Sequence, residues 1–244
     1  MKMSRKVWTD YVEKLRAIND KAADAMLAWL KTHSIDDVEE MLDYAFQLVS
    51  RYGEASAALA AEMYDVTAEM AGKFVPAAIP AEISTYSEVA EAVSGSAKYS
   101  NPKTVASAVG RLTKMAGVDT VMHNAIRDGA KWAWVPMGET CAFCLTLASR
   151  GWQPASKKAL NKGHARHIHA NCNCIYAVSF DDDPQLEGYD PDEYYDIYKN
   201  AEGNNSQDRI NSIRRRLYAE NHYEIRTQQR EAYHLRRERK KENS

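Results

Sequence analysis

Hydrophobic side chains recur at spacings of three and four in the first part of the chain, which predicts three amphipathic helices. In residues 8–31 the shared face consists of Val12, Leu15, Ile18, Ala22, Met26 and Trp29. A second helix is predicted to begin after the start signal at Ser34, and its stripe is Val38, Leu42, Ala45 and Val49. A third helix, in residues 54–71, is predicted to turn inward Ala58, Met63, Val66 and Met70.

Short connections between these helices favour an antiparallel helical module. Gly53 is predicted to separate the second helix from the third, because glycine is a weak helix former. Pro76 and Pro80 bracket a run that cannot continue a helix. We therefore predict an N-terminal helical domain in residues 1–75 and an extended linker in residues 76–83.

The same periodicity continues after the linker. Ser84–Val93 is predicted to form a short helix, and Asn101-Pro102 supplies a cap and a first-turn proline for a long one. That long helix carries the stripe Val105, Val109, Leu112, Met115, Val121 and Ile126. We expect an interruption at Gly117, and we assign residues 84–180 to a second domain.

The composition changes after residue 180. Residues 181–202 are rich in Asp and Glu with interleaved tyrosines, which is typical of a solvated acidic linker. Residues 208–244 contain eleven Lys or Arg against six Asp or Glu, and a thin apolar stripe at Ile210, Ile213, Leu217, Tyr218 and Ile225. We predict a basic helical tail that needs a partner for stability, because so narrow a stripe buries little surface.

The overall charge narrows the classes of function. Lys and Arg total 32 against 34 Asp and Glu, a formal charge of −2, which does not indicate a general nucleic-acid binder. No apolar run approaches the length of a membrane span, and no glycine-rich phosphate loop is present. We therefore expect neither membrane association nor a small-molecule substrate.

All four cysteines lie in one stretch, and their spacing is typical of a structural zinc site. Cys141 and Cys144 form a C-x-x-C pair, and His169, Cys172 and Cys174 form H-x-x-C-x-C. A two-residue gap allows one tight turn to aim two thiolates at a single point. Because no signal peptide precedes them, we expect a reducing compartment, where metal binding is favoured over disulfides or four buried thiols.

Two ligand sets remain open, since five good ligands exceed the four that zinc needs. One uses all four cysteines, with His169 in an outer position; the other uses Cys141, Cys144, His169 and one of the later cysteines. The fold class predicted is mainly α, with a small zinc-stapled α+β module and a charged helical tail.

The sequence around the cysteines resembles a known family. The run C-A-F-C-L-T-L-A-S-R-G-W (141–152), followed by H-A-N-C-N-C-I-Y-A-V-S-F (169–180), is similar to the C-terminal signature of phage Mu F-like minor head proteins. The lead-in W-A-W-V-P-M-G (132–138) also resembles that family, in the version found in tailed phages of actinobacteria. The detailed likeness covers about fifty residues.

The resemblance implies a minor capsid or head-morphogenesis protein. Such a protein acts near the portal vertex during procapsid assembly, in the virion head and the host cytoplasm. Its implied partners are the portal protein and the major capsid or scaffold protein. We expect binding and no enzymatic activity, because a closed zinc site leaves no open position for water. A capsid maturation protease and a zinc-braced nuclease are the enzyme alternatives.

Three interpretations of the basic tail stay open. It is a solvated extension, or it binds a partner protein through Ile213, Leu217 and Tyr218. In the third interpretation its arginines contact packaged DNA, because guanidinium groups match phosphate geometry. The arginines closest to the apolar stripe are Arg214, Arg215 and Arg216.

Overall fold

Four long helices form the first part of the chain. The computed structural model describes residues 5–98, 101–137, 140–157 and 174–221. The helices are α1 Arg5–Trp29, α2 Val38–Met70, α3 Tyr86–Ala97 and α4 Pro102–Asp128.

The ends of these helices follow from local chemistry. Asn101 caps α4 by accepting a hydrogen bond from the Lys103 backbone nitrogen, and Pro102 occupies the first turn, as predicted. At the other end, Gly129 adopts φ 66°, the left-handed conformation that glycine accepts without strain. Helix α3 begins with a reciprocal capping box between Thr85 and Glu88.

The predicted breaks at two glycines are wrong. Helix α2 continues through Gly53, and α4 continues through Gly117. A Cβ atom at Gly53 would lie 3.2 Å from Cγ2 of Ile83, and one at Gly117 would lie 2.7 Å from Oγ of Ser56. Both glycines are therefore sites where another segment approaches the helix closely, and the helix tolerates them because tertiary packing outweighs their low propensity.

Helices α1, α2 and α4 pack against one another around two hydrophobic clusters. The predicted stripe of α1 is confirmed at Val12, Leu15, Ala22 and Met26. In the second half of α2 the prediction is mostly wrong: Ala58 is exposed, and the buried apolar positions are Ala57, Ala60, Ala61, Met63, Tyr64 and Ala68. Small residues dominate this face, because they allow α4 to approach closely.

Segment 76–83 contains no helix or strand. The helices before and after it contribute to the same two clusters. The division of the chain into domains at this segment stays a prediction.

A small antiparallel sheet follows α4. Strand β1 Lys131–Val135 lies in the centre, between β2 Gln153–Pro154 and β3 Ile175–Ser179. Lys131 pairs with Ser179 at one end of the β1–β3 ladder, and Val135 pairs with Ile175 at the other. Tyr176 packs edge-on against Trp132 and Trp134, with ring centroids 4.8 and 4.7 Å away.

Three further helices complete the described chain. They are α5 Ala142–Ala148, α6 Pro191–Lys199 and α7, which covers residues 206–221. The structure is thus mainly helical with one small three-stranded antiparallel sheet, which confirms the predicted secondary-structure class. None of the described helices has the length and apolar character needed to cross a membrane.

Candidate functional site

The sheet brings the two cysteine-bearing stretches to the same end of the molecule. Val135 ends β1 and pairs with Ile175, the first residue of β3. Cys174 directly precedes β3. The chain that leaves β1 leads to Cys141 at the start of α5, and helix α5 contacts β1. Because the strands are antiparallel, the exit of β1 and the entrance of β3 are neighbours.

Cys141 and Cys144 lie in the first turn of α5. Cys141 is the N-cap residue, and its Sγ accepts a hydrogen bond from the backbone nitrogen of Cys144 at 3.4 Å. Such a donor, together with the helix N-terminus, stabilises negative charge on that sulfur. Cys141 is half-buried, whereas Cys144 is buried. The C-x-x-C spacing therefore forms the tight turn that the sequence predicts.

Cys174 lies in the same hydrophobic cluster as Cys144, and Cys141 packs against that cluster. The surroundings of Cys174 include Tyr194 of α6. Burial raises the pKa of the Tyr194 phenol, and the negative charges of Cys174 and Glu193 raise that pKa further. The entrance of β3 and helix α6 are therefore close to each other.

Three of the five predicted metal ligands are described, and two are not. His169 and Cys172 lie outside the described residues. Among the residues that are described, no three His, Cys, Asp or Glu side chains are close enough together to hold a metal ion. Cys141 and Cys144 suit zinc by ligand type and by their shared turn. A complete site requires ligands from the 158–173 stretch, so zinc stays a prediction.

The acidic segment after β3 is packed against the cysteine-bearing helix. Leu186 and Tyr189 are buried, and the Tyr189 hydroxyl donates a hydrogen bond of 2.7 Å to the carbonyl oxygen of Ala148 in α5. Asp190 caps α6, and Pro191 occupies its first turn. Leu186 and Tyr189 thus belong to the first hydrophobic cluster, whereas no residue of α6 is fully buried and the acidic side chains of residues 187–196 are exposed.

Helix α7 docks on α5 and α6 through part of its predicted stripe. Ile210 and Ile213 are buried in a third cluster with Ala142 and Leu145, the residues beside the two cysteines of α5. The partner that this stripe needs is thus supplied by the chain itself. No sequence signal pairs α5 with α7, since both stripes are short.

The remaining predicted contact residues of α7 are less buried than Ile210 and Ile213. Leu217 is half-buried at the edge of the third cluster, and Tyr218 is 70% exposed. The arginines 214, 215 and 216 are exposed, whereas Arg209 lies over the ring of Tyr198 at 5.4 Å. Ile213 faces its own chain, so the prediction of partner binding is left to Leu217, Tyr218 and the three arginines.

The fold and the site define a mainly helical protein with a small sheet, next to which helix α5 begins with a cysteine-bearing turn. The sequence profile described as "VG15 protein" matches residues 2–201, which is most of the chain. The chain belongs to this family of viral gene products from phages, so the expected phage origin is confirmed at this level. No curated protein and no solved structure matched the chain.

Proposed function

We propose that this VG15-family protein is a minor capsid or head-morphogenesis protein of a tailed phage that acts by binding at or near the portal during procapsid assembly. The observation that carries the proposal is the family match over residues 2–201, together with the resemblance of the cysteine-bearing stretches to Mu F-like head proteins. Its partners in this role are the portal protein and the major capsid or scaffold protein.

In this proposal the cysteine-bearing turn is a structural element. Zinc held by Cys141 and Cys144, with ligands from His169, Cys172 and Cys174, would contribute folding free energy to the module that contains the sheet and α5. The antiparallel pairing at Val135 and Ile175 supports this assignment, since it brings both stretches to one end of the sheet.

The long helices and α7 supply the binding faces. Helix α7 is fixed to α5 by Ile210 and Ile213, and the arginines 214–216 that follow are exposed to solvent. Exposed guanidinium groups suit an acidic protein surface or packaged DNA. In sequence, residues 208–244 carry eleven Lys or Arg against six Asp or Glu, which favours the same acidic partners.

A metal and incorporation experiment tests the proposal. Purified protein is assayed for zinc by mass spectrometry, and the double variant Cys141→Ser, Cys144→Ser is compared with wild type for incorporation into phage heads. We expect close to one zinc per chain in wild type, loss of zinc in the variant, and strongly reduced incorporation because the module unfolds. A metal-free, disulfide-bonded wild type would refute the zinc assignment, and unchanged incorporation would refute its structural role.

The head-assembly role itself is tested with Arg214, Arg215 and Arg216 replaced by Ser. These side chains are exposed, so the variant should keep its zinc and its thermal stability. We expect weaker binding to purified portal or capsid protein, or to DNA, with a reduced dependence on salt. Cleavage of coat protein or DNA by the zinc-loaded wild type would instead establish the enzyme alternatives.

A further inference from the structure

A cavity of about 210 Å³ lies between helix α1, helix α4 and the end of the sheet where the two cysteine-bearing stretches meet. The described part of its wall includes Leu15 of α1, Lys114 of α4, Met137 after β1 and Ile175 at the start of β3. For comparison, a protein cavity of about 150 Å³ is large enough to bind benzene. This cavity therefore has room for one aromatic ring with a short substituent.

The surroundings of the cavity are fixed by packing. Helices α1 and α4 approach closely at Gly110, where a Cβ atom would lie 3.3 Å from the carbonyl oxygen of Asn19, itself a wall residue. The Nε1 of Trp8 donates a hydrogen bond of 3.3 Å to Sδ of Met137, and Ile175 is held in the ladder between β1 and β3. The cavity is thus preformed, as ligand sites in proteins usually are.

One part of the wall is apolar. Val12, Leu15 and Ile175 are buried, and Met137 is half-buried. These side chains offer dispersion contacts and no strong hydrogen bond, so they suit an apolar group. A ring that leaves water for this part of the cavity gains the hydrophobic contribution to binding.

The wall also contains a buried cation. Lys114 is only 6% exposed, which is rare for lysine. A buried ammonium group attracts an anion more strongly than an exposed one does, because the protein interior screens charge less than water. The other charged residues of the described wall, Glu13, Arg16 and Asp20, are exposed, and Arg16 and Asp20 form an ion pair of 3.5 Å. Water and salt screen these three charges, so Lys114 dominates the choice of ligand.

We propose that this cavity binds a carboxylate carried on a ring-sized apolar group. The ring contacts Val12, Leu15 and Ile175, and the carboxylate pairs with Lys114. Two sources offer this chemistry. One is a free aromatic acid, and the other is the C-terminal residue of a partner chain, in which an aromatic side chain adjoins the terminal carboxylate. The site depends neither on the proposed zinc nor on the proposed role in head assembly.

The first test compares two probes on the wild-type full chain by calorimetry and by NMR chemical-shift mapping. Phenylpropionate carries the ring and the carboxylate, whereas phenylpropanol has the same ring and a neutral hydroxyl. We expect phenylpropionate to bind more tightly on the order of 10- to 100-fold, since a charged hydrogen bond is gained, with shifts at Leu15 and Ile175. Equal affinities, or shifts confined to other parts of the chain, overturn the proposal.

The second test distinguishes the two sources. A short peptide that ends in phenylalanine is compared with the same peptide whose C-terminus is amidated. Tighter binding of the free carboxylate form identifies a chain end as the ligand, and binding of phenylpropionate without binding of either peptide identifies a free acid. If neither phenylpropionate nor the carboxylate peptide binds, the proposal is wrong.

The third test removes the buried charge. Lys114→Met keeps an unbranched side chain of similar length and should lower the affinity for phenylpropionate on the order of 10- to 100-fold, while the affinity for phenylpropanol changes less than about 3-fold. Lys103→Met, at an exposed lysine in the first turn of α4, is the matched control and should bind like wild type. Unchanged binding of phenylpropionate by Lys114→Met overturns the proposal. If that variant does not fold, the comparison of the two probes on wild type decides.

Discussion

The close contact between α4 and α2 at Gly117 yields a sharp prediction about stability. A Cβ atom at position 117 would lie 2.7 Å from Oγ and 3.2 Å from the carbonyl oxygen of Ser56; the first distance is too short for any Cβ contact, and the second is tight. The hydroxyl could rotate, but the carbonyl oxygen belongs to the α2 backbone. Gly117→Ala therefore has to push the two helices apart.

Two opposing effects set the size of the change. Replacing glycine by alanine inside a helix stabilises it by about 0.5–1 kcal/mol, while overpacking a core costs about 1–3 kcal/mol. Because Ser56 is fully buried and α2·α4 is an extensive helix contact, we expect overpacking to prevail. The net loss for Gly117→Ala should be about 1–2 kcal/mol in the free energy of unfolding.

Gly95 provides the matched control, since a Cβ atom there would have no neighbour within 4 Å. Gly95→Ala lies in α3 and should be stabilising by about 0.5–1 kcal/mol. Both variants are compared with wild type by urea unfolding monitored by circular dichroism. If Gly117→Ala is as stabilising as Gly95→Ala, the inferred close packing of α2 and α4 is wrong.

A double-mutant cycle locates the clash. The buried Oγ of Ser56 has no hydrogen-bond partner in the part of the chain that the structure describes, so Ser56→Ala should be near neutral on its own. In combination it removes the atom closest to position 117, and it should recover at least about 0.5 kcal/mol of the Gly117→Ala loss. Additive effects of the two changes would show that the clash lies elsewhere.

Two further predictions concern the docked tail and the end of α4. Ile213→Ala should lower the free energy of unfolding by about 2–4 kcal/mol and accelerate proteolysis between α6 and α7, because Ile213 is only 1% exposed. The control Tyr218→Ala should change stability little, since that side chain is exposed. Equal effects of the two variants would refute the docking of α7. The hydrogen bond from Arg127 lowers the pKa of Asp128, whose carboxylate also accepts a hydrogen bond from the Tyr64 hydroxyl. The ionised carboxylate therefore stabilises the folded protein fully above 3.8, the ordinary pKa of Asp, and this stabilisation is lost as the pH falls below that value. In chemical unfolding, the free energy of unfolding of wild type should thus be higher than that of Asp128→Asn by about 1–3 kcal/mol at pH 6, and this difference should shrink below pH 3.8. A difference that does not change with pH would contradict the assignment.

Local sequence signals predicted much of the helical secondary structure. The stripe of α1 and the Asn101-Pro102 start of α4 are confirmed, because both depend on interactions within a few residues. The C-x-x-C turn is likewise local and forms as expected at the start of α5. The second ligand stretch lies partly outside the described residues, so the metal-site prediction is carried forward as a proposal.

The errors share a physical origin. Gly53 and Gly117 were predicted to weaken helices, but each lies where another segment approaches, so a missing side chain favours packing there. Within the acidic segment, whose acidic side chains are exposed, Tyr189 donates to the carbonyl oxygen of Ala148 in α5, 41 residues earlier in the chain. Intrinsic propensity and composition do not report such nonlocal contacts.

The sequence by itself determined where most helices form, which residue types are available for a metal, and the unequal charge of the C-terminal segments. These properties depend on periodicity, caps and composition, all of which act locally. Only the tertiary structure decided that β1 and β3 bring the cysteine-bearing stretches to one sheet end and that α7 docks on α5. Each of these arrangements joins residues distant in the chain, and their free energy comes from packing that no single segment can supply.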